Sequence, residues 1–256
     1  MLIWSGRAWF TVAAIGQIAF IIFIVAFYYF STFSGDFEAW NKKPLIKGYQ
    51  SGDSTGNLMF AVHVVLAGIM TLTGLLQLIP QIRSVAPALH RMSGRIFVTL
   101  ACALALGGLW LGWVRETRLS DISAYAIAIN ALLILVCAVP TVTFAIRRKI
   151  DKHQRWAMRL FLVASGVWFM RIGIMAWLII AQGPVGMNRT MSGSVDIVIA
   201  FGCYLIPLTI YETYDRAKRS GSNTLKLTAT SLVLVCTMIT AIGVFGTTVF
   251  MWLPYL

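Results

Sequence analysis

The residues best equipped for chemistry are three histidines and the arginines near them. His90-Arg-Met-Ser-Gly-Arg95 and His153-Gln-Arg-Trp-Ala-Met-Arg159 each set an imidazole beside an i,i+4 pair of guanidinium groups, Arg91 with Arg95 and Arg155 with Arg159. Arg91 and Arg95 fall where a membrane helix begins. The dipole there disfavours a cation, so an anion is expected close by. Two imidazoles at matched depth on separate helices can be the axial ligands of a haem b iron, with the four arginines meeting its propionates. The same residues have a plainer use as interfacial histidines and as arginines that hold lipid phosphate or a loop carboxylate such as Asp151.

His63 belongs elsewhere. It lies near the far end of the preceding span, and the 17 residues from His63 to Pro80 put about 25 Å between them along a helix. One metal cannot reach all three histidines. His63, Met70, Gly74 and Gln77 share a narrow helical stripe suited to a bundle interior. Asn130 comes to a similar depth on another span, and Arg171 stands about eleven residues into a fifth, where an ionised side chain faces a cavity or a partner. Asp196 and Glu212 sit at the two ends of the next span, so neither is an obvious counter-ion. The expectation is an outer-half pocket of His63, Asn130, Arg171 and Gln77 with Trp168 as an aromatic wall, taking a quinone-like or small anionic ligand. A hydrogen-bonded packing core is the alternative.

These residues have to be positioned by membrane helices. With 59% hydrophobic and 12% charged residues and a mean hydropathy of +0.80 over 256 residues, the chain has too little polar surface for a water-soluble domain. The apolar runs suit helices of roughly 20 residues rather than barrel strands. They predict an all-α, polytopic transmembrane bundle of seven spans, near Ala8–Phe30, Leu58–Pro80, Ile96–Val114, Ala124–Ile146, Leu160–Ala181, Val195–Tyr214 and Leu227–Trp252. Fourteen of the 21 Lys and Arg residues fall in connections on the N-terminal side and six on the other, Lys47 among them, which predicts an N-in, C-out protein of the inner membrane. The net charge of +12 follows from these loops and suits anionic lipid; no nucleic-acid module is visible.

Cys102, Cys137, Cys203 and Cys236 fall inside spans with no paired spacing and read as small apolar residues. The connection from Ser31 to Asn57, with Trp40 and Pro44, is long enough to cap the outer end. The whole chain reads as a single membrane domain, within which 58–114 and 124–181 resemble tandem hairpins, each with a His and an arginine pair at its turn.

The run His63-Val-Val-Leu-Ala-Gly68, followed by Gly74, Gln77, Pro80, Arg83 and the block from His90 to Arg95, resembles a bacterial multi-pass membrane family catalogued as a domain of unknown function. The block from His153 to Arg159, with Arg171 downstream, is similar to that family's second motif, from which it departs at Ala157, between Trp156 and Met158. The resemblance covers about Leu58 to Arg171 and implies which positions matter without implying an activity. Two functions fit: a haem-associated electron-transfer protein that exchanges electrons with a quinone near His63 and Arg171, or a non-catalytic carrier, sensor or assembly partner that binds a small anionic or amphiphilic molecule. Hydrolysis does not fit, because no Ser/His/Asp or HExxH arrangement is visible and intramembrane carboxylates are scarce.

Overall fold

The computed structural model describes residues 1–43 and 48–256; Pro44 and Lys47 of the expected outer connection lie outside them. The described residues form helices and no strand. In chain order they are α1 (Leu2–Ser34), α2 (Ser54–Leu78), α3 (Pro80–Val85), α4 (Pro87–Trp113), α5 (Asp121–Ile146), α6 (Ile150–Ala164), α7 (Gly166–Ile180), α8 (Ser194–Arg219) and α9 (Asn223–Tyr255). Six of these are each long and apolar enough to cross a membrane, and α6 with α7, bent by 55° at the break between them, is long and apolar enough only when taken as a pair.

That bend corrects the expectation of one continuous span over Leu160–Ala181. The helix breaks at Ser165, next to Gly166, and a serine–glycine pair is a recurrent cause of sharp kinks. The spans are also longer than hydropathy alone implies: α4 begins at Pro87 and α6 at Ile150, so His90, Arg91, Arg95 and His153 all lie in helical turns.

Local chemistry sets the helix ends. Asp53 caps α2 by accepting from the Gly56 N–H at 2.8 Å, and it also accepts from Arg115 Nε at 2.8 Å, tying the start of α2 to the end of α4. Ser120 and Ser123 form a reciprocal box at the start of α5. Pro80 and Pro87 occupy first-turn positions where their missing N–H is not needed. Gly35, at φ +77°, ends α1 in the left-handed conformation that glycine adopts without a Cβ clash.

Helix α4 packs against α2 and α5, and α9 packs against α1, α7 and α8. Close approach depends on small residues: a Cβ at Gly243 on α9 would strike the Ile172 carbonyl of α7, and one at Gly16 on α1 would strike Val244 and Trp168. Large apolar side chains such as Ile15, Ile18, Ile22, Leu132 and Val139 point outward, as a lipid-facing surface requires. Beyond α1, Trp40 is buried against Phe60 with 5.2 Å between ring centroids, so the connection does fold over that end of the bundle.

Candidate functional site

The α6/α7 break opens onto a cavity of about 150 Å³ between α1, α2, α4, α5 and the bent pair. Most of its wall is apolar, including Phe20, Met70, Phe97 and Phe161. Six polar side chains interrupt that wall; Thr71 and Ser165 are hydrogen-bonded, and four others each carry a buried atom without a hydrogen-bond partner: Gln17 Oε1, His63 Nδ1, Asn130 Oδ1 and Trp168 Nε1. They come from α1, α2, α5 and α7, so four separate helices bring side chains with unpaired polar atoms to the wall of one small volume. An unpaired buried polar group costs about 1–3 kcal/mol, which makes four of them around one cavity hard to explain as packing alone.

The neighbouring sequence explains how they fit. Gly107 lies against the His63 imidazole, where a Cβ would come 3.3 Å from Nδ1. Gly166 makes room for Asn130, since a Cβ there would come 2.7 Å from Nδ2. Ser165, at the break itself, accepts a 3.1 Å hydrogen bond from Gln17 Nε2, so α1 is fastened to the kink by one end of the Gln17 amide while its oxygen stays free. Among the described residues, no Asp, Glu, Lys or Arg lines the cavity, whose wall therefore carries no charge with His63 neutral.

Of the five expected pocket residues, His63, Asn130 and Trp168 meet at the cavity, together with Met70 and Gly74 of the predicted α2 stripe. Gln77 continues that stripe but is spent elsewhere: its Nε2 donates to the His90 carbonyl at 2.9 Å and to Ser93 Oγ at 2.7 Å, clamping α2 to α4. Arg171 is not a lining residue. Its Nη1 donates to the Val167 carbonyl at 3.0 Å and its guanidinium rests 5.4 Å from the Phe20 ring, on the other side of residues that form the wall. Gln17 and Ser165 escaped the sequence reading. A glutamine in the middle of a long apolar run was the available signal for the first.

At the end of the bundle that carries the N-terminus, His90 and His153 stand close enough to interact electrostatically. His153 Nδ1 lies 3.0 Å from the Thr141 carbonyl, whereas His90 Nδ1 is buried with no partner. Arg159 makes a bidentate pair with Glu212 of α8, at 2.6 and 3.0 Å, and its guanidinium lies over Trp156. Its partner is thus Glu212 rather than Asp151, which lies in the first turn of α6, about two turns from Arg159. Arg155 donates to the Asp151 carbonyl, and Arg91 and Arg95 are exposed with no ion pair among the described residues.

No curated protein and no solved structure is significantly similar to the chain. A family described as "Predicted membrane protein (DUF2306)" matches residues 60–214, from the first turns of α2 to the last turns of α8. That stretch supplies His63, Asn130, Ser165 and Trp168, while Gln17 comes from outside it. With the match spanning more than half its length, the chain belongs to this family of multi-pass membrane proteins.

Proposed function

We propose that the protein binds the ring head of a neutral, lipid-soluble molecule of the quinone or phenol class in the cavity at the α6/α7 break. The observation that carries this reading is the convergence of the four unpaired polar atoms. Their chemistry is mixed: the Trp168 N–H can only donate, the Gln17 and Asn130 oxygens can only accept, and His63 Nδ1 does either according to its tautomer. A quinone needs donors and its reduced form needs acceptors, so one set of side chains can hold both members of the couple. A volume of about 150 Å³ suits one six-membered ring, as engineered cavities of that size bind benzene. Broken helices that place freed backbone and polar side chains at mid-depth are a recurrent way to build sites in membrane proteins. The positive-charge bias supports a bacterial inner membrane as the setting, with the N-terminus in the cytoplasm.

The test is thermal unfolding in detergent with a short-tailed benzoquinone. The parent protein should be stabilised by several degrees, as mass action requires of a ligand that binds only the folded state. Ala105→Leu, which fills the cavity from α4, should unfold at or above the parent's temperature without ligand and gain nothing from it. Equal stabilisation of both proteins would put the ligand elsewhere.

A second reading, electron transfer through a haem b at the other end of the bundle, is favoured by His90 and His153. The unpartnered His90 Nδ1 is free to ligate, and the Thr141 carbonyl at His153 Nδ1 can fix the tautomer that leaves Nε2 free. Arg91 and Arg95 remain for the propionates, Arg155 is available through its terminal nitrogens, and Arg159 is held by Glu212. Haem there would make the quinone site redox-active; without it the protein is a carrier or sensor. The visible spectrum of the purified protein after haem is offered separates the two. A Soret band lost in His90→Ala or His153→Ala supports electron transfer, and a colourless folded protein contradicts it.

A further inference from the structure

Arg171 and Lys43 present two cations to one aromatic cluster, and no carboxylate pairs with either among the described residues. Lys43, reaching in from the connection after α1, holds its Nζ 4.2 Å from the centre of the Phe23 ring and 5.5 Å from that of Tyr255. Arg171 lies over Phe20. Phe20 and Phe23 both stack on Trp252, at 5.4 and 5.9 Å, so the two cations occupy neighbouring faces of a single cluster that joins α1 to α9. Aromatic faces attract cations, but they do not neutralise them, and two like charges in a poorly solvated site repel. The acidic residues nearest in sequence, Asp36 and Glu38, are exposed, and Asp36 is occupied in capping the turn at Ala39.

A second observation falls at the same place. Both helices that meet in this cluster relax into π-helix there, α1 over Ile24–Tyr29 and α9 over Thr247–Trp252. Such wide turns cost hydrogen-bond geometry and concentrate at functional sites. Here Phe27 of the first stretch packs against Tyr28 and Tyr255, and Trp252 of the second stacks on Phe23, the ring under Lys43.

We infer that Arg171 and Lys43 form the jaws of an oxyanion site that takes the carboxylate or phosphate head of an amphiphile, with the Phe20, Phe23 and Tyr255 rings against the adjoining part of its chain. The guanidinium supplies a planar fork and keeps donors beyond the one given to Val167, while the ammonium supplies a point charge from the loop. Lys43 lines no part of the neutral cavity, so this site and the quinone site stand or fall separately.

The experiment places the protein in nanodiscs of zwitterionic lipid and titrates oleate, dodecyl phosphate and inorganic phosphate, following tryptophan fluorescence and the unfolding temperature. Oleate or dodecyl phosphate should bind saturably, and Lys43→Met and Arg171→Gln should each weaken that binding at least about tenfold, as loss of one member of a desolvated charge pair does. Arg171→Lys should recover only part of the loss. Inorganic phosphate competing as well as the tailed anions would identify a free oxyanion as the occupant. Should Arg171→Gln fail to fold, Lys43→Met in the connection still decides the matter. Undiminished oleate and dodecyl phosphate binding by Lys43→Met, or no binding of any of the three anions to the parent, overturns the inference. The short-tailed quinone should bind Lys43→Met as it binds the parent whatever the anion result.

Discussion

At the scale of residues, the protein keeps polar atoms unpaired where most membrane proteins would pair or remove them. Gln17 illustrates the economy of the arrangement: its amide nitrogen is satisfied by Ser165 and its oxygen is left for the cavity. Ser165→Ala should therefore lower stability by about 1–3 kcal/mol, because it leaves the Gln17 nitrogen unpaired as well. Chemical unfolding of the variant in a fixed detergent measures this, and an unchanged midpoint would mean that the Gln17–Ser165 bond carries no weight. Lys43 gives a pH signature. Burial, with help from the Arg171 charge, pushes its ammonium down to about 7 from 10.5. Arg171 and the rings of Phe23 and Tyr255 are the groups that face it. Because its folded pKa is depressed, the unfolded chain holds one more proton than the folded protein between about 7 and 10.5, and stability rises with pH across that window. In delipidated protein the unfolding temperature of the parent should climb from pH 7 to pH 9.5 relative to that of Lys43→Met. Parallel curves would show Lys43 to be solvated rather than inserted.

At the scale of elements, the decisive feature is the break between α6 and α7. Hydropathy could not reveal it, since Leu160–Ala181 is apolar enough, Arg171 apart, to read as one span, and at Ser165-Gly166 the kink is met by Gln17 and Asn130 from two other helices. The α2 stripe was legible because helical periodicity alone puts His63, Met70 and Gly74 on one face, and all three reach the cavity. Gln77 obeyed the same periodicity but met α4 first, and Arg171 turned toward Phe20 and Val167; which neighbour a side chain finds depends on helix packing that no single span encodes. Gly166→Ala tests the element directly. The added methyl group would sit 2.7 Å from Asn130 Nδ2, so the variant should lose quinone binding and about 1–3 kcal/mol of stability. Retained binding with parent-like stability would show that the bend tolerates a shift of Asn130 and does not hold the site.

At the scale of the whole molecule, six long helices and one bent pair build a bundle whose separate polar centres divide between its two ends. The cavity at the α6/α7 break and the Arg171–Lys43 cluster share Phe20 as a boundary, whereas His90, His153 and the Arg159–Glu212 pair gather toward the end that carries the N-terminus. Charge bias predicts that reporters fused after Tyr49, Ser120 and Met187 read outside and that those after Arg83, Lys149 and Ser220 read inside; an inside reading after Ser120 would reverse the assignment of faces. Membrane class, helical fold and family were legible in composition and in the two histidine blocks, while the cavity itself depends on six helices meeting, which no single span encodes. The most direct test of the central claim is the dissociation constant of a short-tailed benzoquinone for the parent and for Asn130→Leu in the same detergent. Leucine keeps the branched shape of asparagine and removes an unpaired oxygen, so the variant should stay folded and at least as stable while binding weakens about tenfold or more, the cost of losing a buried hydrogen bond to ligand. Equal constants for the two proteins would contradict the proposal that this cavity is the binding site.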